Sequence, residues 1–588
     1  MTVLPLSAAT STHSTPGQTT FDRDIAPIIF QNCAVCHRPG ESGPFPLLNY
    51  RDVKKHARQI EVVTRTRFMP PWLPAPQKLK FADVMRLSEQ QIATIKKWVD
   101  EGALEGNPAD LPPQPKFAEG WQLGPPDLVL KATKPFLLPA SGSDMYWNFI
   151  FPLPLDRTRW MKAIEIKPGD KQFIHHANVL VDRMENSRQR EKEPGAGFGG
   201  MEIKIESETF DPDSHFLFWK PGTIPYSEPK GMALRLDKGT DLVLNVHMQP
   251  QGKPEEIQPS IGIYFTDQPA TKFPMLLQLQ NDGKLDIPAG NSNFVVTDQL
   301  TLPIDVDLLA IYPHAHYLGK DLQAIATLPD GTTKTLIHIP QWDLNWQAVY
   351  RYAEPVFLPK GTTVHMRYVY DNSANNPLNP NHPPERVRGG NRARDEMAHL
   401  WLQVLPVNFD ANAGDPRIQL QEALARHNIE NDPEDFESHY NLGAVLQSQG
   451  RVDEAVKQYE MALKIRPKDA TANNAMGGAL LAEGKQNQAV VFLRMATQAS
   501  PAYFDAHYNL GNALASAGDF AGAEEEFGAA VRLRPEDANA HANFGSALAE
   551  LGKLADAKAE YERALKIDPN LALARENLQQ LNSDVSRH

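Results

Sequence analysis

Cysteine is almost absent from this chain: there are two in 588 residues, Cys33 and Cys36. No disulfide framework can brace the rest of the chain, so packed cores must hold it together and the pair needs a local explanation. Long apolar runs are missing as well. None approaches the ~18 residues that a membrane span needs, and the apolar stretches are short and interrupted by proline or charge. An excess of positive charge is also lacking, since 59 Lys and Arg stand against 72 Asp and Glu, a formal net charge of -13. That balance argues against a nucleic-acid partner, which would need clustered basic side chains to displace counterions. Residues 1–20 are rich in Ser and Thr but lack the basic start and full apolar stretch of an export signal, so they read either as a signal remnant or as a disordered leader.

What is present is punctuated into several domains, as the length requires. Six prolines between 108 and 126 mark a linker, and four more fall in an Asn-rich loop over 376–384. Before the linker, helical spacing over 22–30, 50–66 and 88–101, the last opened by Ser88, predicts a small all-α domain over 21–107. After it, strand-like runs such as 241–247 and 364–370 alternate with Gly, Pro and Asn turns, the pattern of β-sandwiches.

The C-terminal part is a repeat array. Gly443, Gly477, Gly511 and Gly545 recur every 34 residues, as do Pro467, Pro501, Pro535 and Pro569. Gly450, Gly484, Gly518 and Gly552 keep the same register at the turn between two helices, and Ala455, Ala489, Ala523 and Ala557 supply small side chains at the helix contact. A 34-residue helix-turn-helix period is the tetratricopeptide signature, which predicts an all-α solenoid of four repeats over 435–588, after a linker over 409–434.

Cys33-Ala34-Val35-Cys36-His37 is a C-x-x-C-H sequence. Its chemistry is the attachment of a c-type haem: two thiols bond the haem vinyl groups and the adjacent His37 supplies an axial nitrogen. Zinc would want further Cys or His ligands nearby, and thioredoxin-like chemistry a βαβ context. Met69, on a proline-stiffened loop, is the expected second axial ligand, with Met85 and His56 as rivals. Since c-type haem is matured outside the cytoplasm, the expected location is periplasmic or secreted.

Three histidine-bearing elements stand out in the β region: His175-His176, His247 and His314-Ala315-His316. His314 and His316, at i and i+2 of a strand, project from one face and can chelate one ion. Neighbours such as His175 and His176 point to opposite faces of a regular strand, so joint ligation requires a strand end, bulge or strong twist.

The order of these histidines, with Trp219-Lys220-Pro221-Gly222, Tyr370-Asp371-Asn372-Ser373 and Asp395-Glu396-Met397, resembles the copper type II ascorbate-dependent monooxygenases. That family includes peptidylglycine- and dopamine-hydroxylating enzymes, and the likeness spans roughly 121–406. It implies two jelly-roll β-domains, here 127–275 and 276–408, each holding one copper ion across an open cleft. His175, His176 and His247 would hold an electron-transfer copper. His314, His316 and Met397 would hold the copper that meets dioxygen, Met366 being a competing thioether better placed for packing. His215, His338, His365, His382 and His399 are left as structural or surface residues. The resemblance departs in two places: no disulfide can brace the β-domains, and Tyr312 stands where peptide-amidating members place a carboxylate-binding arginine.

The expectation is therefore a copper-dependent monooxygenase that hydroxylates an aliphatic C–H bond of an unknown small organic substrate with dioxygen. Electrons would come from an external donor through the covalent haem, and the repeats would bind a protein partner. A non-catalytic haem and copper electron-transfer or redox-sensing protein is the alternative.

Overall fold

The computed structural model describes residues 17–585 except 119, 143, 184–185, 201–213, 393 and 408–413, so most of the expected leader lies outside the described residues. The chain forms two compact units, Met1–Pro416 and Arg417–His588.

In the first unit, helices Ala26–Asn32, Tyr50–Lys55, Ala57–Arg65 and Glu89–Asp100 enclose a core of Phe21, Ile29, Ile60, Ile95 and Trp98. The helix expected over 50–66 is two helices, because the chain leaves helical geometry at His56 (φ -107°, ψ 10°). Ser88 does open the last helix: its side chain accepts from Gln91 N while the Gln91 side chain accepts from Ser88 N, a capping box. The loop after Met69 is stitched to the β part of the unit. Ala75 N donates to His338 O (2.8 Å), Ala82 N to Arg351 O (2.8 Å) and Ala353 N to Lys80 O (2.9 Å), while Phe81 bridges Tyr352 and packs among Trp72 and Tyr350.

The β-rich remainder is antiparallel. One sheet runs Phe198–Gly199, Met145–Pro152, Asp241–Met248, Ile174–Asp182, Phe218–Trp219; a second runs Leu128–Lys131, Ser260–Thr266, Arg159–Lys167, Leu234–Leu236. The two share one core, Phe149, Leu244 and Val246 from the first meeting Met161, Ile261 and Ile263 from the second. Strand Asp241–Met248 is buried at every position, with apolar side chains at Leu242, Val243, Leu244, Val246 and Met248.

A further pair of four-stranded sheets follows: Met275–Gln280, His399–Pro406, Val306–His314, Tyr350–Leu358, and Phe294–Thr301, Thr363–Tyr370, Gly319–Thr327, Thr333–Ile339. Strand Phe294–Thr301 alternates buried and exposed residues over most of its length, one face to the core and one to water. Met366 is 1 % exposed in such a strand and fills the core.

The second unit is helical throughout. It begins with Arg417–Asn431, a helix where a linker was expected, whose Ala425 joins the core of Leu442, Leu446 and Tyr459. Paired helices follow at the 34-residue period. Gly443, Gly477, Gly511 and Gly545 sit where a Cβ would collide with Tyr459, Leu493, Phe527 and Tyr561 of the partner helix. Gly450, Gly484, Gly518 and Gly552 have φ of 74°, 72°, 83° and 73°, the left-handed conformation of a helix C-cap. Both glycine series are thus explained, one by close approach and one by backbone geometry.

Candidate functional site

Cys33 follows helix Ala26–Asn32, and a tight turn brings Cys36 N (3.2 Å) and His37 N (2.9 Å) onto the Cys33 carbonyl. A Cβ at Gly43 would lie 2.7 Å from Cys36 O and 2.8 Å from His37 Nδ1, so only glycine lets this turn close. His37 Nδ1 lies 3.0 Å from Phe45 O. A carbonyl only accepts, so Nδ1 carries the proton and Nε2 keeps a lone pair that could ligate a metal. Burial lowers the His37 pKa, which favours that neutral ring. Burial pushes the Cys33 thiol up to about 12 and raises Cys36 too, the reverse of a reactive thiolate pair.

Of the axial rivals, Met85 is placed beside the motif: a methyl group built on Gly222 would lie 2.8 Å from Cys36 Sγ and 3.8 Å from the Met85 methyl. Met69 is half-buried, its N–H held by Val63 O at 3.0 Å. His56 stacks flat on Phe45 (3.7 Å, 2°), which holds the ring beside His37's acceptor. Lys220, two residues before Gly222, is half-buried near Cys36, and desolvation brings its pKa down to about 8 against the opposing influence of the thiolate. Strand Phe218–Trp219 continues from this contact, and Phe218 stacks on His176 (5.8 Å, 23°).

The bulge that joint use of His175 and His176 requires is present. Ile174 pairs with Met248 and His176 with His247, leaving His175 as the inserted residue. Both rings therefore reach His247, at 4.8 Å and 5.0 Å between centroids. Asp144 joins them: one ligand atom each of Asp144, His175 and His247 lie within 4.8 Å of one another. Asp144 Oδ2 accepts from His247 Nε2 (3.1 Å), and Gln249 Oε1 lies 3.0 Å from His175 Nε2. Buried His247 Nδ1 has no hydrogen-bond partner among the described residues. An orphaned buried imidazole nitrogen beside a second imidazole and a carboxylate fits a transition-metal ion, the carboxylate holding His247 from behind. Burial raises the Asp144 pKa, but its bond to His247, with help from His175 and Tyr317, outweighs burial and leaves the carboxyl below its ordinary value.

The second group is held by different means. His314 ends strand Val306–His314 and His316 lies just beyond it, with their rings 5.3 Å apart and nearly perpendicular. Asp395-Glu396-Met397 closes over His316. His316 Nδ1 is 2.8 Å from Asp395 O, and Glu396 accepts from His316 N (2.7 Å), Leu318 N (2.6 Å) and Met397 N (3.3 Å). His316 Nε2 therefore keeps its lone pair. Met397 is buried, its carbonyl taking the Tyr370 hydroxyl at 2.7 Å. Burial pushes the Glu396 carboxyl up to about 8, against the three N–H donors, which favour its charged form. His399, set aside on sequence grounds, pairs in register with His314, and its ring stands 6.2 Å away, with its Nε2 on Asp282.

The two groups touch where the resemblance implies an open cleft. Gln347 Oε1 accepts from Tyr312 Oη (2.5 Å) and His314 Nδ1 (2.8 Å), while its Nε2 meets His176 Nδ1 (3.1 Å). Asp144 Oδ2 also accepts from Tyr317 Oη at 3.1 Å. Sequence reasoning singled out neither Gln347 nor Asp144.

No curated protein matches this chain. Tetratricopeptide repeat family models match residues 436–469, 475–527 and 508–572. Among solved structures, YrrB, titled a TPR protein with an unusual peptide-binding site, is 22% identical over 28% of this chain and 84% of its own, with a TM-score of 0.26. MamA 41-end from Desulfovibrio magneticus RS-1 is 23% identical over 28% and 90%, with a TM-score of 0.25. The C-terminal region of this chain is thus built of tetratricopeptide repeats.

Proposed function

We propose that the chain is a copper-dependent monooxygenase with its own c-type haem. In this reading 21–107 is a cytochrome c-like domain, 127–275 and 276–408 are two jelly-roll copper domains, and the protein is periplasmic or secreted. The supporting observation is a convergence within one compact unit: Cys36 packs on the loop at Gly222, and the strand before that loop stacks Phe218 on His176. The haem attachment motif and the histidine groups are thereby joined by a short stretch of packed protein.

When bound, haem and copper supply the electron storage and dioxygen activation that side chains lack, for the net conversion of R–H, O2, two electrons and two protons into R–OH and water. Cys33, Cys36 and His37 would hold the haem, with Met69 or Met85 as a further ligand. His175, His176 and His247 would hold one copper, with Asp144 orienting His247. His314, His316 and Met397 would hold the other, and the soft Met397 thioether favours Cu(I) there. Glu396 and Asp395 fix His316, and Tyr312 with Phe216 and Phe218 forms an apolar wall beside His314. Repeats of the C-terminal type point to a protein partner, presented with an extended concave surface.

The test is to quantify copper and haem on protein matured in a periplasm, then measure reductant-dependent oxygen uptake against small aliphatic and phenolic compounds. Uptake coupled to a hydroxylated product supports the reading. Both metals bound without product would make the chain an electron carrier instead.

A further inference from the structure

His176 and His314 come from different sheets and share one side chain, the Gln347 amide. A neutral imidazole has one N–H and one lone pair, and Gln347 faces Nδ1 of both rings, at 3.1 Å from His176 and 2.8 Å from His314. An amide has one accepting end and one donating end. His314 Nδ1, facing the carbonyl, must carry its proton, and its Nε2 is then a lone pair. His176 Nδ1, facing the amide N–H, must accept, and its Nε2 then carries the proton. Turning the amide over exchanges the two roles without making them equal.

We propose that Gln347 is a positioning residue that forces His176 and His314 into opposite tautomers, so that only one of them at a time presents Nε2 to a metal while the hydrogen bonds hold. In the observed arrangement that one is His314, whose acceptor is shared with Tyr312. His176 can bind metal only by giving up Gln347 or by reversing the amide, which withdraws the acceptor from His314. The first group is therefore prepared through His175, His247 and Asp144, and His176 joins at a cost felt 33 residues from Gln347, at His314. This goes beyond the two-copper reading, in which His176 and His314 are independent ligands, and rests on it only for the metal.

The experiment uses the full chain carrying 15N-labelled histidine. Long-range 1H–15N spectra of metal-free protein report each tautomer, with His176→Ala and His314→Ala assigning the two signals. Opposite tautomers in the wild type, and Nδ1–H at both in Gln347→Glu, whose carboxylate accepts from each ring, are the expected results. The same tautomer at both rings in the wild type, or no change in Gln347→Glu, overturns the proposal. Chelator competition then measures copper: Gln347→Glu should tighten binding at the His175/His247 group by about tenfold, and the gain should vanish when His176→Ala is added. A gain that persists without His176 is a charge effect and overturns the link to ligation. Wild-type protein with opposite tautomers that takes up no copper at all would sink the copper reading and leave the positioning role standing.

Discussion

Cys36 and Gly222 are in direct contact, although 186 positions separate them: a methyl group on Gly222 would stand 2.8 Å from Cys36 Sγ, and its φ of 81° already disfavours any side chain. Gly222→Ala should therefore push the loop off Cys36 and cost about 1 kcal/mol or more. Thermal unfolding and haem content of purified protein check this. Wild-type values in both would mean the contact is slack.

Attachment of haem through both thiols predicts that the group survives full denaturation, whereas axial coordination does not. Extraction of intact haem from matured protein would refute it. Met69→Ala and Met85→Ala separate the axial candidates. The true ligand's variant should lose the sulfur-to-iron absorption band and lower the potential, and the other should leave both unchanged.

Unequal ligand sets predict unequal losses at the histidine groups. Met397→Ala should abolish turnover and Cu(I) carbon monoxide binding while copper still loads at His175 and His247. His247→Ala should do the reverse, sparing carbon monoxide binding but stopping electron delivery. Asp144→Asn should weaken copper at the first group by ~10- to 100-fold, as removal of an orienting partner does. Copper stoichiometry and carbon monoxide titration distinguish these outcomes.

Removing the repeats should leave haem and copper binding intact, provided the cut precedes Arg417. Helix Arg417–Asn431 contributes Ala425 to the core of the second unit and packs Ile429 against it, so a cut near 435 would strand a helix with these residues uncovered. Light scattering of both truncations should show the longer one associating. Loss of both metals from a soluble 1–416 fragment would show that the repeats complete the redox unit.

His507 gives the repeats a pH dependence. Its bond to Glu526 outweighs partial burial and raises its pKa above the unfolded value. The stability it contributes is fully present below the unfolded pKa of ~6.5 and is lost as pH rises through the higher folded value. His507→Asn should flatten that decline, because Asn473, the equivalent residue one repeat earlier, donates to Pro467 O just as His507 engages Pro501 O. Urea midpoints at pH 6 and 8 should converge in the variant, whereas in the wild type the midpoint falls between them.

Features fixed by neighbours in sequence were legible there. The 34-residue glycines, the Ser88 cap and the turn around Cys33 and His37 depend on local backbone and on one helix meeting the next. The chemistry of His175 and His176 was legible only as a condition, that a bulge must exist, since register is decided across strands. Asp144, Tyr317 and Gln347 were not legible, because what makes them matter is a partner 103, 173 or 171 residues away and nothing beside them announces it. The helix over Arg417–Asn431 was missed for another reason: its apolar residues make no clean stripe, and only the next helix gives them a surface to cover.

The loop between Met69 and Ser88 is laced to the β part by three backbone hydrogen bonds and the Phe81–Tyr352 bridge. A helical part anchored in this way is no swinging arm. The separation between the cysteine pair and the histidines is set once, when the chain folds, so in the proposed function an electron would cross the same packed medium on every passage, whatever the viscosity outside.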